Sequence, residues 1–266
     1  MSRRSVRRPL AFLALVLAAC SDSTAPDAAD DLELSEDVAL SAAAATTTGL
    51  LVLRGDMARS GLPGAFLPGT GSVGAVSESC VFEEATNSWF CEASAEIGLE
   101  VERRITIFAD DVAGPLYNPT TTDSIRVQTS ATGEIAGERG TISASHAHDV
   151  TVSGLEGAET QRTVNGNATR EELVTFTGVR GTRTWDGTTE VAFKSIVFPV
   201  NGGHPLSGTL VHQVDATVTI SGAREETRQI SRRVEIAFNG TATVPLTVGT
   251  LECTLNLETG RVACSR

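Results

Sequence analysis

The chain has 266 residues, 41% of them hydrophobic, and a formal net charge of −12 from 33 acidic and 21 basic side chains. That is enough apolar material for the core of one or two domains, and too much for a wholly disordered chain. The acidic balance disfavours nucleic acid or an anionic membrane surface as an electrostatic partner, and no apolar run reaches the roughly 18–20 residues of a transmembrane helix.

Residues 1–19 read as an address. Arg3, Arg4, Arg7 and Arg8 form a basic start, and Leu10 to Ala19 is a short apolar stretch ending in small residues. This is the pattern of a secretory signal, too short for a stop-transfer helix. The tetrad Leu17-Ala18-Ala19-Cys20 resembles the lipobox of bacterial lipoproteins. The resemblance covers only these first 20 residues. It implies that Cys20 is lipidated and becomes the first residue of the mature chain. Ser21, where an Asp would signal retention in enteric bacteria, resembles an outer-membrane destination, facing the periplasm or the cell surface. The implied partner is the membrane, held through the anchor, since each buried CH₂ contributes about 0.8 kcal/mol. Removal of four Arg with the signal takes the chain to about −16.

Residues 20–48 follow as the lipidated Cys and an acidic spacer. Asp22, Asp27, Asp30, Asp31, Glu33, Glu36 and Asp37 face no base, so the segment repels itself and has little to bury. A short helix starting near Ser35 and running into Ala42–Ala45 is marginal in isolation.

From Gly49 to Arg266 the period changes to two. Ile97, Leu99, Val101, Ile105 and Ile107 alternate with polar residues, as do Leu210 to Ile220 and Ile230 to Phe238. One apolar and one polar face mark half-buried antiparallel strands. The expectation is a single all-β domain of about twelve strands: a large, mostly antiparallel sheet, sandwich or partly open barrel with tight hairpins. Long strands are predicted near 97–108, 138–153, 207–221 and 226–238. Asn165-Gly166, Asp186-Gly187 and Asn239-Gly240 supply hairpin turn chemistry between the runs. The strings Arg162–Gly166 and Arg183–Gly187 echo one another weakly, as convergence on hairpin chemistry or a duplicated hairpin. Met57–Ser72 and Ala113–Thr122, rich in Gly or Pro, read as loops.

Four Cys remain beside Cys20. Cys80 and Cys91, and Cys253 and Cys264, are each separated by ten residues with turn-like residues midway. Hairpins folded there would set each pair side by side, although four Cys allow three connectivities. Two such bridges suit an oxidising envelope compartment. The spacing is poor for zinc, whose paired ligands sit about two to four residues apart.

His146 and His148 share strand parity with Ile142, Ala144, Val150 and Val152. His212 shares it with Leu210 and Val214, and Arg103 and Arg232 also fall on apolar parity. If these faces meet, the five residues form a polar cavity. The competing readings are a metal site built from the histidines, or strand ends and bulges that leave them solvated. No G-x-S-x-G or H-E-x-x-H motif selects a nucleophile or a metal. The pairs Glu83-Glu84 and Glu171-Glu172 point to opposite faces of a strand and make poor acid–base couples. Trp89, Phe90 and Trp185 read as packing groups or, alternatively, as an aromatic binding platform. Neither cofactor nor resident metal is expected. The expected role is a lipid-anchored envelope domain that binds or supports without catalysis. A carrier of an apolar or amphipathic ligand is the first alternative, and an envelope hydrolase or metalloenzyme the second.

Overall fold

A computed structural model describes residues 35, 38, 39, 42, 43, 46, 78–94, 99–137, 140–178, 181–222 and 225–265. Thirteen strands appear there: β1 (Glu78–Glu83), β2 (Ser88–Ser94), β3 (Leu99–Ala109), β4 (Val112–Gly114), β5 (Ser124–Gly137), β6 (Gly140–Ser153) and β7 (Gln161–Gly178). The chain continues through β8 (Gly181–Pro199), β9 (Ser207–Gly222), β10 (Glu226–Ala237), β11 (Thr243–Val248), β12 (Leu251–Asn256) and β13 (Val262–Cys264). All belong to one antiparallel sheet that follows chain order from β1 to β13 without crossovers. The short β4 folds back onto the end of β3 and lies off this path. The sheet is not closed into a barrel. Four strands predicted from alternation match β3, β6, β9 and β10 closely.

One face of the sheet holds the core. On β9 the buried residues are Leu210, His212, Val214, Ala216 and Val218, alternating with more exposed neighbours except at Val211. On β10 they are Ile230, Val234 and Ile236. Ile105, Ile125, Val127, Val152, Val164, Ile196, Phe198, Leu246 and Leu255 extend the same inward face across the sheet, each nearly free of solvent. Burial of this kind stabilises by about 1.5–3 kcal/mol per large side chain.

The short helix expected from near Ser35 into Ala42–Ala45 is present at the described positions, and it is docked rather than isolated. Ser35, Val38, Ala39, Ala42, Ala43 and Thr46 are helical and buried. Their spacing of three and four is one face of an α-helix. Packing on a sheet supplies what an isolated helix of this length lacks. Two polar bonds fix it there: Thr46 Oγ1 lies 3.2 Å from His212 Nε2, and Arg232 Nε donates to Ser35 Oγ at 3.3 Å.

Two of the three expected hairpin dipeptides are not turns. Asn165-Gly166 lies inside β7 and Asp186-Gly187 inside β8, so neither reading of the echo as hairpins holds. At the first, β8 carries an extra residue around Lys194–Ser195, where the register of both its pairings shifts. Ser195 adopts φ 47°, and the side-chain carbonyl of Asn165 accepts from its backbone N–H at 2.8 Å. Gly166 is required beside this bulge: with φ +150°, an added Cβ would lie 2.1 Å from the Asp149 carbonyl oxygen. At the second, Gly187 makes room for the Trp185 indole, whose Nε1 would be 2.7 Å from a Cβ there. Asn239-Gly240 does join β10 to β11 as expected.

The cysteine pairing is as expected. Cys80 bonds Cys91 across β1 and β2, and Cys253 bonds Cys264 across β12 and β13. The two bridges therefore close the first and last hairpins among the described residues. The Ala113–Thr122 expectation is shortened by β4, which takes Ala113 and Gly114. Met57–Ser72 lies outside the described residues, as do residues 1–34 with Cys20.

Candidate functional site

Strand register places all five sequence-selected residues on two adjacent rows of the inward face. The first row runs Arg103–Thr129–His148–Ala168–Val191–His212 across β3, β5, β6, β7, β8 and β9. The second runs Ala131–His146–Arg170–Thr189–Val214–Arg232 from β5 to β10. Rows are two residues apart, about 7 Å along each strand. The expected convergence on one face is therefore present, as a band across the sheet and not as one closed cavity.

Within the band the groups form two clusters. His146 and His148 contact each other, with Nε2 and Nδ1 3.4 Å apart and ring centroids 5.6 Å apart. Arg103 stands two strands from His148 with Thr129 between them, and Arg170 faces His146 across the β6–β7 pair. His212 and Arg232 form the other cluster, under the helical residues. His212 is three strands from His148, which rules out a shared coordination sphere with it on a sheet with strands about 4.8 Å apart. Among the described residues, no group of three His, Cys, Asp or Glu side chains could hold a metal.

The electrostatics follow from burial. Burial pushes the His212 imidazole down to about 4. His148 is pushed to about 4 by burial, then by the neighbouring His146 and Arg103, against the opposing charge of Asp149. His146 is lowered by burial and by Arg170, opposed by a backbone hydrogen bond at Thr169. All three are neutral at pH 7 and present one donor and one acceptor nitrogen each. Thr129 is 9% exposed, and its Oγ1 is buried without a hydrogen-bond partner.

A concavity lies over the same strands. Its lining is mainly of outward parity, with Phe90, Glu102, Arg104, Gln128, Asp149 and Asn167, and also includes Arg103, Thr129 and His148 of the band. It is a shallow, open trough of about 470 Å³, crossed by the paired Arg126 and Asp149 side chains and by Gln128. Glu83 stays 39% exposed and accepts from Arg104 at 2.7 Å, which lowers its pKa. Trp89 packs edge-on to Phe82 with centroids 5.4 Å apart and donates to the Pro115 carbonyl at 3.0 Å. Trp185 packs against the core from within β8. Both tryptophans thus serve packing.

Sequence reasoning missed Thr129 and Arg170. Both lie on inward parity, but their place in the rows depends on register, which alternation does not specify. Comparison of the chain with protein-family models, with curated proteins and with solved structures finds no match.

Proposed function

We propose that this chain is a lipid-anchored protein of the bacterial outer membrane whose β domain binds a partner or ligand without catalysing a reaction. The observation that carries the envelope reading is the pair of disulfides at the first and last hairpins. Bridges of this kind persist in an oxidising compartment, in accord with the signal and the lipobox at Cys20. The docked helical residues begin fifteen positions after Cys20, so the acidic stretch between them spaces the sheet from the bilayer. Metabolic acyl labelling in cells treated with globomycin tests the anchor. The expected result is label on the wild-type chain, its loss in Cys20→Ala, and release of that variant from membranes. A Cys20→Ala protein that stays membrane-bound contradicts the reading.

A second reading, a carrier of an amphipathic ligand, is favoured by one feature. Beyond the polar band the inward face carries half-buried apolar side chains among Arg183 and Arg228: Ile142, Val174, Phe176 and Trp185 are of intermediate exposure, and Ile220 is 38% exposed. Apolar surface left open beside polar groups is the usual lining of a ligand site.

A further inference from the structure

His146 and His148 stand two residues apart on β6, so both rings rise from one face of the strand. His146 Nε2 lies 3.4 Å from His148 Nδ1. That separation is long for a single hydrogen bond to nitrogen or oxygen. It equals the bite of two imidazole ligands on one ion, since nitrogens held at about 2.0–2.1 Å by a tetrahedral metal lie roughly 3.3–3.4 Å apart. The rings are tilted by 60° with centroids 5.6 Å apart, so they meet through these nitrogens and do not stack.

The surroundings match a ligand pair. A backbone hydrogen bond at Thr169 holds the His146 ring. A ring that donates one N–H to a main-chain carbonyl keeps its other nitrogen bare and fixed in direction, the usual second contact of a metal-bound histidine. Thr129 lies directly opposite His148 on β5. It is 9% exposed, and its Oγ1 has no hydrogen-bond partner. A buried hydroxyl left in that state is costly, and a water on an ion at the imidazoles would satisfy it. Cross-strand partners have Cβ atoms about 4.5–5.5 Å apart, within reach of one such water. Both histidines are half-buried, so an ion reaches them without opening the core. His148 and Thr129 also border the open trough over these strands.

The neighbouring groups decide which ion fits. Arg170 faces His146 across the β6–β7 pair, and Glu172 is paired with it. Asp149, next to His148, is held by Arg126. Hard cations such as Mg²⁺ and Ca²⁺ need several oxygen ligands, and among the described residues no group of three His, Cys, Asp or Glu offers a cage. A borderline ion bonds to neutral imidazole nitrogen and does not require a surplus of negative charge. We propose that His146 and His148 form a two-imidazole site for a divalent transition ion, zinc by its geometry. Water completes the tetrahedron, and one of these waters donates to Thr129 Oγ1. Cys80, Cys91, Cys253 and Cys264 are in disulfides and do not compete for the ion. The site goes beyond the reading of the domain as an anchored binding module and does not depend on the anchor.

Titration calorimetry of the full, untagged chain tests the proposal, with Cys20→Ala so that acylation plays no part in the result. The probes are zinc chloride, cobalt chloride and magnesium chloride at pH 7. Zinc is expected to bind one to one, magnesium to give no binding heat, and cobalt to show the intense visible absorption of a tetrahedral ion. His146→Gln and His148→Gln should each weaken zinc by about tenfold or more, and Thr129→Val should weaken it several-fold. His204→Gln, outside the site, should leave it unchanged. Circular dichroism establishes that each variant is folded. The cobalt spectrum is read on a chain with both histidines intact, so it decides even where a variant does not fold. Unchanged zinc affinity in a folded His146, His148 or Thr129 variant, magnesium binding as tight as zinc, or an octahedral cobalt spectrum would overturn the inference.

Discussion

At the scale of single residues, His212 links burial to pH. Its folded pKa of about 4 lies below the ordinary histidine value near 6.5. The unfolded chain therefore binds a proton in the window between those values that the folded chain refuses. Stability falls as pH drops from about 6.5 to about 4, by on the order of 3 kcal/mol for this one group. His148 acts in the same direction over the same window, with a smaller effect because it is less completely enclosed. Urea denaturation at pH 7 and pH 4.5 should show this loss, and His212→Gln should flatten it while keeping a side chain able to bond Thr46. Gly166 makes a sharper structural demand. Gly166→Ala places a Cβ against the Asp149 carbonyl at a φ that L-residues avoid, and should cost about 3 kcal/mol in urea unfolding. Gly114→Ala meets nothing within 4 Å and should be near neutral.

At the scale of elements, the edges and the helical face decide how the sheet is held. Each disulfide closes a hairpin with a sequence separation of 11. Replacing Cys253 and Cys264 together by Ala should lower stability by about 2–3 kcal/mol, read as a shift in the denaturation midpoint. The helical residues contribute Ala39 and Ala43, both fully buried, so there is no room for a charged side chain. Ala43→Asp should release this segment, and limited proteolysis should then cut between residues 35 and 46 where the docked wild type resists.

The elements also show what was legible in the sequence. Strands β3, β6, β9 and β10 were visible because one face is apolar and the other polar, which imposes a period of two. Strands β7 and β8 were misread because Asn165-Gly166 and Asp186-Gly187 carry turn chemistry. Their actual roles, capping the Ser195 bulge and seating Trp185, are tertiary and leave no local signal. The helix near Ser35 was legible from its sequence, but its docking through Ser35 and Thr46 onto Arg232 and His212 is tertiary and was not. At the candidate site, parity alone placed Arg103, His146, His148, His212 and Arg232 on one face. The division into a β3–β7 cluster and a β9–β10 cluster needed the register, which the β8 bulge resets.

At the scale of the whole molecule, the charges sort by location. Residues 1–19 hold four Arg and no acid, residues 22–37 hold seven acids and no base, and the outward face of strands β3 to β10 carries nine acidic and four basic side chains. No helix among the described residues is long and apolar enough to cross a membrane; the attachment proposed above is through Cys20. Intact mass spectrometry of the chain purified from membranes tests this directly. The account predicts a mature protein beginning at Cys20, heavier by its acyl groups, with Cys80, Cys91, Cys253 and Cys264 oxidised in two bridges. A chain that retains Met1, or begins elsewhere without added acyl mass, would contradict it.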